Sequence, residues 1–345
     1  MNVLLDIGHP KDVNVFSNVI RLLQERGHKI KIFARAKEST RKMLEENGFE
    51  YKLCKHYKTM PGKAFGVLAN DLLLYKMARQ FKPDIFVSPG SPYSAHVSRL
   101  MGKPHLAFSD TEIAGLVTKL AFPFTDRIYT STSFYLDLGP KQTRFRGYYE
   151  LAYLHPKYFK PDENVLTKYG LKAGYILVRL SALSSHHDLH AKGFNFKAEK
   201  ELKEYISVLE KYGKVIISSE LSDWQTIKDY QLEIDPKDLH NIIYHASLCI
   251  SEGATMASEA AVLGVPSIYV SNNQRGYLNE LEQKYGLVYT IPDKGLALKE
   301  AIEILGNGSK KDGWRSKKDE MLSDTIDVVD FIVDTIEFHD QKGVQ

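Results

Sequence analysis

Apolar residues recur along this chain in two alternating rhythms. Val3, Leu4 and Leu5 form a short apolar run that ends at Gly8-His9-Pro10. Phe16, Val19, Ile20 and Leu23 then fall at i, i+3, i+4 and i+7, the spacing that lines one face of a helix. Gly27 closes that helix, and residues 29–33 read as the next strand. Further strands are predicted at 84–87, 105–108 and 127–129, separated by helix-length segments. Strands joined by helices predict a parallel sheet covered on both faces. The rhythm breaks around residues 158–170, where Pro156, Pro161 and several charges interrupt it. A second series follows, with strands at 175–178, 214–217, 247–250 and 267–270. The pattern predicts two doubly wound, Rossmann-like domains, 1–160 and 170–325, and a C-terminal amphipathic helix and tail, 326–345. Ile326, Val329, Ile332, Val333 and Ile336 share a face of that helix. Ligands of such sheets bind beyond the carboxyl ends of the strands, so the loops that follow strands are where chemistry is expected.

Composition narrows the function classes. A chain of 345 residues, 43% hydrophobic and 26% charged, suits two ordinary globular domains. Its 46 basic and 43 acidic residues leave a net charge of +3, which lacks the basic field of a dedicated nucleic-acid binder. Cys54 and Cys249 stand far apart and outside any metal-type spacing, so neither a disulfide framework nor a thiolate zinc site is expected. The chain reaches Asp6 without a basic n-region, which reads as a buried strand rather than a signal peptide. No apolar run approaches the roughly 20 residues of a membrane span. A cytoplasmic enzyme is expected, with peripheral contact at the inner face of a membrane left open. Residues 59–82, where Leu68 and Leu72–Leu74 mix with Lys76 and Arg79, read as a core-facing helix before a membrane-surface one.

The most informative stretch is Ser251-Glu252-Gly253-Ala254-Thr255-Met256-Ala257-Ser258-Glu259, between an apolar strand and a helix that ends at Gly264-Val265-Pro266. Small residues at Gly253 and Ala254 let backbone N–H groups approach an anion. The helix start adds further N–H donors and a positive dipole end, which together suit a diphosphate. Thr255 adds a hydroxyl, and Glu259, about one turn on, is a candidate acceptor for ribose hydroxyls. The plainer reading of a Gly-Ala turn is a tight connection with a surface acid.

The longer run, Gly253-Ala254-Thr255-Met256 followed by Glu259-Ala260-Ala261-Val262-Leu263-Gly264-Val265-Pro266, resembles the donor-site motif of GT-B proteins. Related motifs occur in the UDP-N-acetylglucosamine 2-epimerases and in the N-acetylglucosaminyltransferase that completes the peptidoglycan lipid precursor. Asp6-Ile7-Gly8-His9-Pro10, Asp110-Thr111-Glu112, the run from Gly147 to Leu154, and His187-Asp188 are similar to segments of a prokaryotic family of this superfold with no assigned function. The resemblance covers nearly the whole chain. It implies two Rossmann-like domains facing across a cleft, a diphosphate on the glycine turn and ribose on Glu259. Glu252 departs from the pattern, because a carboxylate beside a diphosphate repels it unless it points away or is paired.

Other strand-end loops supply candidate chemistry. Arg179, in the loop region after the second domain's first strand, is a candidate to neutralise phosphate. His187 is a candidate to polarise a leaving group or shuttle a proton, with Asp188 as its orienting partner. His186 and His190 have i, i+4 spacing, but no third ligand is visible and no metal is expected. Asp110 and Glu112 are candidate bases, since acids of this region act in catalysis in the similar epimerases; a dipole-complementing helix start is the competing explanation. His9 is placed to meet an acceptor or to begin a helix. Ser88-Pro89-Gly90-Ser91-Pro92 suits either close substrate approach or simple turn chemistry.

Together these features predict a glycosyltransferase using a nucleotide-sugar donor, UDP-linked by resemblance, with no separate cofactor. The acceptor is unknown, with lipid- or protein-linked glycans as its classes. UDP-sugar 2-epimerisation is the second enzyme reading. A non-catalytic sugar-nucleotide binder is the third.

Overall fold

The computed structural model describes residues 1–36, 38–54, 60–110, 112, 115–181, 193–219, 224–306 and 310–341. It divides into two compact units, Met1–Tyr153 with Ile326–Gln345, and Leu154–Thr325.

The first unit holds β1 (Asn2–Ile7), β2 (Lys29–Arg35), β3 (Tyr51–Cys54), β4 (Ile85–Ser88), β5 (His105–Phe108), β6 (Arg127–Ser131) and β7 (Gln142–Phe145). They form one sheet in the order β3-β2-β1-β4-β5-β6-β7, with every neighbouring pair parallel. Central strands are buried along their length, as β4 and β5 are, because helices cover both faces. Leu4, Phe33 and Phe86 pack with Leu74 and Ala78 of the Met60–Phe81 helix and with Val97. That helix buries Gly66, Asn70, Leu74 and Ala78, while Leu68, Leu72, Lys76 and Arg79 are exposed. The expected core-facing role therefore holds for one side of it.

The Val328–Gln341 helix completes this unit. Phe331 packs on Phe145, with ring centroids 4.9 Å apart, and on Tyr129 at 5.9 Å. Arg26, just past the Pro10–Glu25 helix, meets Glu337 at 2.6 Å and Asp334 at 3.1 Å.

The second unit holds β8 (Ile176–Leu180), β9 (Val215–Ser219), β10 (Leu248–Ser251), β11 (Ser267–Tyr269) and β12 (Val288–Thr290), all parallel, in the order β12-β11-β10-β8-β9. The Ala254–Leu263 helix is buried from Met256 to Leu263, which explains its run of small side chains. It ends at Gly264, whose φ of 77° is left-handed. A Cβ there would also sit 3.1 Å from the Lys318 side chain.

In each sheet the strand order reverses once at a pair of neighbours, β1 with β4 and β8 with β10. Such switch points open a crevice at the carboxyl ends of the strands, because the flanking connections leave in opposite directions. Cys54 and Cys249 are both buried and free. Among the described residues, no helix is long and apolar enough to cross a membrane.

Candidate functional site

At the β8–β10 switch point the glycine turn has the form its sequence suggests. Gly253 is the N-cap of the Ala254–Leu263 helix, in extended conformation and with no side-chain cap. Its own N–H is taken by Ser251 Oγ at 2.9 Å. Gly253, Ala254 and Thr255 are half-buried, so the first turn remains open to a ligand. An uncapped helix start leaves backbone donors and a positive dipole end together.

The unusual acid beside this turn has a defined job. Glu252 is buried, and its two oxygens accept backbone N–H bonds from Ser181 and Phe194, each at 2.8 Å. Its own N–H donates to the Arg179 carbonyl at 3.2 Å. The carboxylate thus ties the end of β8 to residue 194. Gly193 makes room for it, since a Cβ there would lie 2.1 Å from Glu252 Oε1. His187 and Asp188, together with His186 and His190, lie outside the described residues.

Glu259 is buried at 4% exposure, and His240, from the Leu239–Tyr244 helix, meets Oε1 with Nε2 at 3.2 Å. His240 carries no motif in the sequence and enters the site through the structure alone. Arg179 donates from Nη1 to Ser218 Oγ at 2.9 Å, toward β9.

The first unit gathers a second polar cluster at its own switch point. His9 caps the Pro10–Glu25 helix: its Nδ1 accepts from Lys11 N at 3.3 Å, and Asp12 Oδ2 accepts from His9 N at 2.7 Å and Gly8 N at 2.9 Å. The helix-start reading of Pro10-Lys11-Asp12 is therefore realised. Lys11 Nζ reaches across to Asp110 Oδ2 and to Glu150 Oε1, the latter at 3.0 Å. This lysine joins the loops after β1, β5 and β7. The Asp110 side chain keeps 25% exposure, whereas Glu112 is buried at 6%. Of the two candidate bases, Asp110 is the more accessible.

Burial shapes the charges here. It pushes Asp12 up to about 6, and the nearby Asp110 adds to the shift. Asp6, at the end of β1, is raised to about 7 by burial, against the opposing charge of Arg35. Asp6 and Glu150 were not singled out by sequence as site residues, and Lys11 and Asp12 only as part of a helix start. Asp6 and Glu150 sit inside segments with a family resemblance, which was the available signal.

The Ser88–Pro92 loop makes turn hydrogen bonds. Ser88 Oγ accepts from Gly90 N at 3.1 Å and Ser91 N at 2.9 Å, and contacts His105 Nε2 at 2.9 Å. Burial pushes His105 down to about 3, so it stays neutral. Among the described residues, no group of three or more His, Cys, Asp or Glu is placed to hold a metal ion.

Comparison with known proteins gives a family and a fold. A family model described as "Protein of unknown function (DUF354)" matches residues 1–335. An uncharacterized protein of Methanocaldococcus jannaschii is 23% identical over 282 residues, which is 78% of this chain and 81% of that protein. The UDP-GlcNAc 2-epimerase of Neisseria meningitidis, solved with UDP-GlcNAc, superposes with a TM-score of 0.67 at 12% identity, covering 97% of this chain and 99% of that one. The glycosyltransferase SsfS6 of Streptomyces sp. SF2575 superposes with a TM-score of 0.62 at 15% identity, covering 98% and 99%. At these identities the likeness is one of fold: two parallel-sheet α/β domains of the GT-B kind.

Proposed function

The chain belongs to the DUF354 family, and for this member we propose glycosyl transfer from a nucleoside-diphosphate sugar, UDP-linked, to an acceptor hydroxyl. One observation carries the reading. At the β8–β10 switch point the uncapped turn Gly253-Ala254-Thr255 is open, while the neighbouring Glu252 carboxylate is occupied by the amides of Ser181 and Phe194. Repulsion by that acid was the objection to a diphosphate there. Two hydrogen bonds from backbone N–H groups pair that carboxylate and weaken the objection.

In this mechanism the diphosphate lies on the helix start and the departing charge is spread over backbone donors, with Arg179 as a nearby cation. Glu259, oriented by His240, receives ribose hydroxyls. His187 assists the leaving diphosphate and Asp188 orients it. On the first unit, Asp110 takes the proton of the acceptor hydroxyl as its oxygen attacks the anomeric carbon. Lys11, which meets Asp110 Oδ2, holds it in place for that task.

A second reading, 2-epimerisation of a UDP-sugar, draws on the same carboxylates. Asp110 and Glu150 share Lys11, and Glu112 is close in sequence, which supplies acids for removing and returning a proton. Isothermal titration of the full-length protein with UDP, GDP, ADP and CMP is the first test. Selective binding of one nucleotide names the donor to use, and NMR of the UDP-sugar without acceptor then separates the readings: a 2-epimer supports epimerisation, an intact donor supports transfer or binding alone. Absence of heat with all four at millimolar concentration defeats the nucleotide-sugar reading.

A further inference from the structure

Leu68 and Leu72 stand on the Met60–Phe81 helix with 70% and 54% exposure, values that burial in a core would have removed. They begin a row that continues as Lys76 and Arg79, at i, i+4, i+8 and i+11, so one helix face passes from apolar to basic. The face does not end with this helix. His96, on the Pro92–Met101 helix, meets Asp71 Oδ2 with Nδ1 at 2.9 Å and the Leu120 carbonyl with Nε2 at 3.1 Å. Its ring also packs edge-on against Phe124 at 5.1 Å. His96 therefore brings three neighbouring segments together, and around it stand Leu100 at 71%, Phe124 at 43% and Leu120 at 38% exposure. Exposed apolar side chains gathered in this way mark an interaction surface rather than scatter.

The charges around them are mostly basic. Asp71 is the sole acid in the sequences of the Met60–Phe81, Pro92–Met101 and Gly115–Ala121 helices, and it faces His96. Lys76, Arg79, Arg99 and Lys119 are exposed on them. The basic border continues beyond the first helix, where a cavity of about 550 Å³ is lined by Lys31, Lys52 and Lys76 with Glu50, Tyr51 and Met77. Within it Lys31 is 3.2 Å from Glu50.

We propose that this face binds the surface of an anionic lipid bilayer, with Leu68, Leu72, Leu100 and Phe124 entering the headgroup region and the surrounding bases meeting lipid phosphates. An apolar ridge in a cationic border has the chemistry of an interfacial anchor, and neither part suffices alone. Each base near an anionic surface multiplies binding about fivefold at moderate salt, and the effect fades within a Debye length. The proposal is independent of nucleotide binding, which concerns the second unit.

The test is sedimentation of the full-length protein with sucrose-loaded vesicles of phosphatidylcholine alone, or with an equal share of phosphatidylglycerol. The expected result is pelleting with the anionic vesicles at low salt, lost in about 1 M salt. The double variant Leu68→Ser with Leu72→Ser should lower partition at least tenfold, as should Lys76→Glu with Arg79→Glu. All four positions are exposed, so melting temperatures should match the parent. Failure of the parent to pellet with anionic vesicles, or undiminished pelleting of both variants, overturns the proposal. So does a solution dimer, seen by light scattering, that Leu68→Ser with Leu72→Ser disperses, for the face would then join copies of this chain.

Discussion

Glu252 and Ser181 are linked across the β8–β10 switch point by a 2.8 Å hydrogen bond from the Ser181 backbone N–H to the Glu252 carboxylate. The other carboxylate oxygen holds Phe194. One buried side chain thus fixes both ends of the segment that carries His187 and Asp188 in sequence.

This clasp makes a double-mutant prediction. Glu252→Ala should cost about 3–6 kcal/mol, since it removes two hydrogen bonds to a charged group, each contributing about 1.5–3 kcal/mol. Gly193→Ala should be comparably destabilising, because its Cβ would fall 2.1 Å from Glu252 Oε1. In the Glu252→Ala background the same glycine substitution should cost far less. Urea denaturation of the four proteins measures the coupling, and additive losses would mean that Gly193 is required for another reason.

Glu259 is expected to matter to the nucleotide beyond its packing. Glu259→Gln keeps the shape and one acceptor, and should lower nucleotide affinity by roughly tenfold to a hundredfold. His240→Ala should produce a smaller loss of the same kind by releasing the carboxylate. Calorimetry with the preferred nucleotide checks both, and unchanged affinity in Glu259→Gln would remove this residue from the site.

Asp6 should make stability depend on pH. Its carboxyl is raised to about 7 in the folded state, so between its ordinary value near 4 and about 7 the folded chain holds a proton that the unfolded chain has released. Its contribution is fully present below about 4 and is lost as pH rises through about 7. Asp6→Asn should therefore flatten the fall in stability over that window, by at most about 1.4 kcal/mol per pH unit. Parallel pH profiles for variant and parent, from chemical denaturation, would contradict this.

Lys11 is expected to be worth more to the first unit than a surface ion pair. Its side chain is 12% exposed and that of Glu150 only 2%. Lys11→Met should cost about 3–5 kcal/mol, because it strands buried negative charge. Adding Glu150→Gln should recover part of the loss. No recovery in the double variant would show that Lys11 acts through Asp110 instead.

The sequence was most legible where strands are buried on both faces. β1, β4, β5, β8 and β10 are apolar runs and were located to within a few residues. β3, β7 and β12 escaped prediction, and all are sheet edges. An edge strand has one neighbour and a partly wetted surface, so its residues need not be apolar: β7 reads Gln142-Thr143-Arg144-Phe145, with Phe145 alone buried. The candidate site divides in the same way. The turn at Gly253 is local in sequence and was visible there. Lys11 with Glu150, and His240 with Glu259, are separated by 139 and 19 positions, and such partnerships are set by the tertiary fold.

The first unit is written in two pieces of sequence, Met1–Tyr153 and Ile326–Gln345, with the whole second unit between them. During synthesis the second unit is available to fold while the first still lacks its last helix. Phe331, which covers Tyr129 and Phe145, and the acids that meet Arg26 emerge only after the second unit. The first unit is therefore completed only after all of the second unit's sequence has been made.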